Sequence, residues 1–165
     1  MSIFLKESYG ASQLSARQII KDPILLLAFG FGSGLSRYMP GTFGTLIAVP
    51  LYLALTQFNN WIYLAATLLC VLVGIPICDR AAKKLQVHDF GGIVWDEIAG
   101  LLITLCWLPY SWQSLVAGFV AFRFFDILKP WPICWLDKHV HGGFGIMVDD
   151  VVAGIFAAGV LRLWF

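Results

Sequence analysis

Residues 61–78 read Trp61-Ile-Tyr-Leu-Ala-Ala-Thr-Leu-Leu-Cys-Val-Leu-Val-Gly-Ile-Pro-Ile-Cys78, without one Asp, Glu, Lys or Arg. A helix over this run has no polar face to turn to water, which marks it for a bilayer or the middle of a helical bundle. Similar runs lie on both sides. Leu46–Phe58 precedes it, Ile98–Tyr110 and Leu115–Leu128 follow as a pair joined by Ser111-Trp112-Gln113-Ser114, and Val151–Phe165 closes the chain. Most fall short of the ~20 residues that span a bilayer core, so they cross with flanking residues and local thinning, enter part-way, or pack inside a bundle. Ile24–Phe31, directly after Pro23, is shorter still and reads as an interfacial or half-inserted helix. Ser12–Lys21 mixes polar and apolar residues and suits the membrane surface, so residues 1–29 form an N-terminal interfacial segment. Trp61, Trp107, Tyr110, Trp112 and Trp164 sit near segment ends, as an aromatic belt does. With no internal repeat and no linker, residues 1–165 make one all-α domain, a multi-pass membrane helical bundle of short helices.

Composition points the same way. Of 165 residues, 59% are hydrophobic and 13% charged, against about 25% charged in soluble domains. That apolar load excludes disorder, and a net charge of +1 argues against a nucleic-acid partner. Cys70, Cys78, Cys106 and Cys134 form no Cys-x-x-Cys pair and read as small apolar residues. The N-terminus shows no clear signal peptide, because its first apolar stretch runs into Gly30-Phe-Gly-Ser-Gly34 without a cleavage site.

If the five longer segments each cross once, the loops 30–45, 79–97 and 129–150 share one side and the tips 59–60 and 111–114 the other. All 10 acids then fall on the first side, with every basic residue of the 11 except Arg162. By the positive-inside rule that side is cytoplasmic.

Three acidic groups gather at its rim. Asp96 and Glu97 open one apolar segment, Asp149 and Asp150 another, and Asp126 lies near the exit of a third. Arg123, Asp126 and Lys129 are spaced three apart, within reach on one helix, and Pro130 and Pro132 end that helix. Each acid taken singly is a helix cap, and Arg123–Asp126 a structural ion pair. Together, at similar depth, they offer the carboxylate oxygens that Mg²⁺ or Mn²⁺ prefers. The glycine-rich stretch 30–45 is neither a P-loop nor a dinucleotide fingerprint. It leads into a helix, so the backbone at Gly34 and Gly41 would offer N–H groups to an anion, with Ser33, Ser36, Arg37, Thr42 and Thr45 as further donors. A phosphate held between this loop and a metal on the carboxylates makes a coherent site. His88, His139 and His141 are weaker metal candidates, and Gly142, Gly143 and Gly145 suggest a tightly turned or flexible loop before Asp149. A Cys-x5-Arg thiolate site, an Asp-x-Asp pair and a Gly-x-Ser-x-Gly elbow are all missing from the sequence.

Gly32-Ser-Gly-Leu-Ser36, Pro40-Gly-Thr42, Val94-Trp-Asp-Glu97, Phe122-Arg-Phe-Phe-Asp126 with Lys129-Pro-Trp-Pro132, and Gly142-Gly-Phe-Gly-Ile-Met-Val-Asp-Asp150 follow one another in the order of the phosphatidylglycerophosphatase A family. The chain resembles that family from about Gly30 to Gly159, with Arg37 where Pro is commoner and Cys134 where a basic residue is frequent. The resemblance implies an all-helical, Mg²⁺-dependent phosphatase of the bacterial inner membrane, its site facing the cytoplasm. The substrate would be phosphatidylglycerophosphate and the products phosphatidylglycerol and phosphate. Asp96, Glu97, Asp126, Asp149 and Asp150 would hold the metal. Arg123 and Lys129 would offset charge on the phosphate. Asp79 sits at the same rim outside these motifs and reads from its position as a supporting residue behind them.

Three other readings compete. A small transporter would carry charge at mid-membrane depth, which these segment interiors nearly lack. A structural subunit would use the acids only as caps and anchors, and a soluble bundle would hide its apolar surface in an oligomer.

Overall fold

The computed structural model describes residues 15–87 and 90–165. Among them the chain is all-helical, with no strand. The helices are α1 (Ala16–Lys21), α2 (Pro23–Ala28), α3 (Pro40–Leu55), α4 (Asn60–Leu85), α5 (Trp95–Leu105), α6 (Trp112–Leu128), α7 (Ile133–His139) and α8 (Gly142–Leu161), with a 3-10 stretch at Gly30–Leu35. Side chains set the starts. Ser15 and Gln18 form a capping box on α1, the Asp22 carboxylate accepts from the Ile24 and Leu25 N–H groups ahead of α2, and Asn59 and Ser111 cap α4 and α6.

Helices α5 and α8 form the centre, with α4 and α6 on α8, α3 on α5 and the short α7 against α8. The α5–α8 crossing depends on two glycines. A Cβ on Gly154 would lie 2.6 Å from the Gly100 carbonyl oxygen, and one on Gly100 would lie 3.1 Å from the Asp150 carbonyl oxygen of α8 and 2.3 Å from the Phe122 ring of α6. Thr104 fastens the crossing, its hydroxyl donating to the Gly100 carbonyl at 2.9 Å and reaching that of Gly154 at 3.3 Å. Small residues that let backbones touch, joined by a hydroxyl, are the packing of helices that gain little from apolar burial alone. Farther out, the Tyr63 hydroxyl donates to the Leu102 carbonyl and the Trp95 indole to that of Cys70, pinning α4 to α5.

The outer surface is apolar. On α4, Leu68, Leu69 and Leu72 are 53%, 61% and 64% exposed, and α3, α6 and α8 likewise expose Leu, Ile, Val and Phe. Two helices, α4 with 26 residues and α8 with 20, are long and apolar enough to cross a membrane.

Several boundaries differ from the sequence reading. The run expected to begin at Val151 belongs to a helix that starts at Gly142, so Gly142, Gly143 and Gly145 are helical and not a loop. The reason is tertiary: a Cβ on Gly143 would lie 2.0 Å from the Ile75 carbonyl oxygen of α4. Helix α7 occupies part of what read as the loop 129–150. Residues 24–28 form α2, which packs Leu25 and Ala28 into the interior beside α4. Of the Ser12–Lys21 surface segment, residues 12–14 lie outside the described residues, as do residues 1–11 and His88.

Candidate active site

The sequence-predicted acids meet at one end of the bundle, and the fold explains how. Asp96 and Glu97 sit in the first turn of α5, where the N-cap, Val94, makes no side-chain bond. Carboxylates there complement the helix dipole. Asp149 and Asp150 are different. They lie two turns inside α8, roughly 12 Å along it, and are 6% and 3% exposed. Neither is a cap, so the capping account fails for this pair. The start of α8 is capped from another helix, the Gly143 N–H donating to Asp79 Oδ1 at 3.4 Å. Asp79 is also bridged to Lys83 at 2.7 Å.

Oxygens of Asp96, Glu97 and Asp150, one from each, lie within 4.8 Å of one another. Asp126 stands close enough to influence both Glu97 and Asp150, and Asp149 to influence Asp150. Two cations border the group. Arg123 pairs with Asp126 at 2.5 Å and approaches Glu97 at 3.8 Å. Lys129 pairs with Asp149 at 2.6 Å and with Asp137 at 2.5 Å. The i,i+3 reading therefore holds for Arg123–Asp126 but not for Lys129, whose backbone at φ 41° ends α6 in a left-handed cap and sends the ammonium toward α7 and α8. Partial burial works against the Lys129 charge, yet its hydrogen bonds to Asp137 and Asp149 outweigh that and hold the ammonium above the ordinary lysine value.

Asp137 is the functional candidate that sequence reasoning missed. Its only signal is an acid four residues before His141 in a segment read as loop, and its meaning depends on α7 forming.

The six carboxylates Asp96, Glu97, Asp126, Asp137, Asp149 and Asp150 thus share this end with two cations, an imbalance that only protons or a further cation can offset. Oε2 of Glu97 and Oδ2 of Asp150 are buried and accept no hydrogen bond. Clustered, orphaned hard-oxygen donors fit a divalent cation such as Mg²⁺. His139 and His141 stay apart from this group. Both are exposed, with Nδ1 against the Trp135 carbonyl and the His139 carbonyl respectively.

The glycine-rich stretch reaches the acids through one residue. Gly41, buried in the first turn of α3, has no side chain, and a Cβ there would meet Glu97 Oε1 at 2.4 Å and the Arg123 terminal nitrogens at 2.9 and 3.1 Å. The N-cap of α3, Met39, makes no side-chain bond, so the positive end of a 16-residue helix faces the cluster uncapped by any side chain. Thr42 follows Gly41 and is half-buried. The remaining predicted donors are engaged locally. Ser33 donates to the Phe29 carbonyl, Ser36 to that of Tyr38, and buried Thr45 to that of Gly41. Gly34 is pressed against the Gly92 carbonyl, where a Cβ would lie at 2.0 Å.

The family model for Phosphatidylglycerophosphatase A matches residues 26–165. The chain is 49% identical to Phosphatidylglycerophosphatase A of Escherichia coli (strain K12) over 147 residues, covering 88% of this chain and 86% of that protein. It is 48% identical to Phosphatidylglycerophosphatase A of Haemophilus influenzae (strain ATCC 51907 / DSM 11121 / KW20 / Rd) over 142 residues, covering 85% and 87%. No solved structure matches the chain.

Proposed function

The chain belongs to the phosphatidylglycerophosphatase A family, and from that premise we propose how its residues hydrolyse phosphatidylglycerophosphate to phosphatidylglycerol and phosphate. The observation that carries the assignment to one place is the carboxylate surplus, with orphaned oxygens on Glu97 and Asp150, beside an uncapped helix N-terminus.

Asp96, Glu97 and Asp150 would hold Mg²⁺, which supplies charge neutralisation and a hard Lewis acid for phosphate oxygens. Asp126 keeps Arg123 extended toward the first turn of α3, so a guanidinium and the backbone N–H of Gly41 converge on the place where a phosphate monoester would sit. Lys129, fixed by Asp137 and Asp149, adds a second positive charge on the other flank. In the reaction a water oxygen forms the new P–O bond and the glycerol oxygen departs, taking up a proton. A carboxylate of the cluster accepts the proton that water gives up.

The lipid substrate agrees with the surface. Exposed leucines on α4 and apolar faces on α3, α6 and α8 support a multi-pass bundle with lipid on its outside. The α3–α4 and α5–α6 connections carry no charge, while among the described residues the acids and nearly all basic residues lie toward the other end, which supports a site facing the cytoplasm in a bacterial inner membrane.

The test is phosphate release from phosphatidylglycerophosphate by detergent-purified protein, with Mg²⁺ and with excess EDTA. Release that EDTA stops, and that Asp150→Asn lowers by about 100-fold, is the expected result. Release indifferent to EDTA would overturn the metal assignment, and full activity in Asp150→Asn would overturn the site.

A further inference from the structure

An apolar groove lies between α4 and α8, with Ile103 of α5 and Cys106 and Trp107 just after it also lining it. Its volume is about 430 Å³, within the range of about 300–1,000 Å³ that small-molecule sites occupy. Leu64 and Val71 line it from α4, and Val151, Ile155 and Ala158 from α8. It runs from Val151 to Arg162, so at 1.5 Å per residue its length is about 16 Å, close to half of a ~30 Å hydrocarbon core.

The end remote from the carboxylates is the polar one. Arg162 is exposed there, its guanidinium 5.7 Å from the Trp107 ring centroid and donating to the Cys106 carbonyl at 3.3 Å. No carboxylate bridges it among the described residues, and the neighbouring connections 56–59 and 106–111 carry no charge at all. One wall also holds Thr67, whose hydroxyl is buried and without a hydrogen-bond partner. A groove one leaflet long, apolar along its length, with a hydroxyl in its wall and a lone cation at its mouth, matches a phospholipid in size and charge. Its headgroup must be anionic to complement Arg162.

We propose that this groove binds an anionic phospholipid of the leaflet opposite the active site, with one acyl chain along α8 and the headgroup on Arg162. The inference rests on the membrane-spanning reading above. It concerns a lipid that is not a substrate, because a headgroup on Arg162 lies about 18 Å along α8 from Asp150 and the carboxylates.

Two variants leave the catalytic groups untouched. Arg162→Gln removes the cation. Gly159→Leu fills the groove, and a Cβ at Gly159 meets nothing within 4 Å, so the side chain enters open space. The experiment is native mass spectrometry of protein released from micelles holding equal phosphatidylserine and phosphatidylcholine with identical acyl chains. Flotation of the same proteins in vesicles is the companion measurement. Wild type should retain one lipid and favour phosphatidylserine by about fivefold. Arg162→Gln should retain a lipid without that preference, and Gly159→Leu should lose retention at least severalfold. Equal retention of both lipids by wild type, an unchanged preference in Arg162→Gln, or full retention in Gly159→Leu would each overturn the site. Failure of wild type to float would instead remove the membrane reading and this inference with it.

Discussion

Replacing Gly41 by alanine adds one methyl group where the first turn of α3 meets the carboxylates. The new carbon would lie 2.4 Å from Glu97 Oε1 and 2.9 Å from the nearer Arg123 nitrogen, whereas ordinary contact begins at 3.4 Å. Backbone conformation does not resist the change, since alanine favours a helix more than glycine does. The two groups that must retreat are ends of flexible side chains, so the fold survives while the Glu97 carboxylate shifts by about 1 Å and the Arg123 guanidinium by about 0.5 Å. A displacement of that size in a positioned site costs about 100-fold in rate, equivalent to about 2.7 kcal/mol of transition-state stabilisation. The assay is kcat/KM for phosphatidylglycerophosphate in detergent, paired with thermal unfolding and with a titration of Mg²⁺. Gly41→Ala should unfold within a few degrees of wild type, lose about two decades of kcat/KM and need more Mg²⁺ for half-maximal rate. Gly159→Ala, whose methyl meets nothing within 4 Å, is the control and should keep full activity. Wild-type kcat/KM in Gly41→Ala would refute the placement of the α3 N-terminus against the reacting groups.

Other expectations concern charge and packing. Lys129→Met leaves buried Asp149 without its cation, and should lower stability by about 2 kcal/mol. Pairing it with Asp149→Asn should recover part of that loss, which a double-mutant cycle of unfolding free energies measures. Gly154→Ala forces α8 off the Gly100 carbonyl, which a Cβ would approach to 2.6 Å. It should destabilise the bundle by about 1–3 kcal/mol and lower activity with it, read by unfolding and turnover on the same sample. At the surface, the hydrogen bond from Lys84 holds the Asp22 carboxyl below its ordinary value of 3.8. Its folded pKa is therefore depressed, so the pair stabilises above the unfolded value and the contribution fades as pH falls through the folded one. Lys84→Met should flatten that acid limb of stability by under about 1 kcal/mol, measured as melting temperature against pH.

How far the sequence leads depends on whether a residue's meaning is local. The uncharged run 61–78 needs no partner to be read as a helix, and α4 contains it. Arg123 and Asp126 share a helix face by spacing alone, and they pair. The apolar outer surface follows from composition, because too few polar residues exist to cover it. The same spacing rule puts Lys129 beside Asp126, but Pro130 after it disfavours a helical continuation, and the left-handed cap redirects the side chain.

The glycines before Asp149 show most clearly why the rest was hidden. Glycine weakens an isolated helix by up to about 1 kcal/mol relative to alanine, so Gly142, Gly143 and Gly145 read locally as a turn. Whether they form a turn or a helix is decided by α4, whose Ile75 carbonyl leaves no room for a Cβ on Gly143. That long-range contact also settles the chemistry. If α8 began at Val151, Asp149 and Asp150 would be caps facing solvent, stabilising a helix end and needing nothing more. Because α8 begins at Gly142, the same two acids are carried inside the bundle, to where Asp96 and Glu97 already stand. Burial then makes their negative charge a cost that neither Arg123 nor Lys129 fully offsets. The glycines that read locally as a flexible approach to the site are the reason its carboxylates lie deep enough that their charge must be offset by protons or a cation.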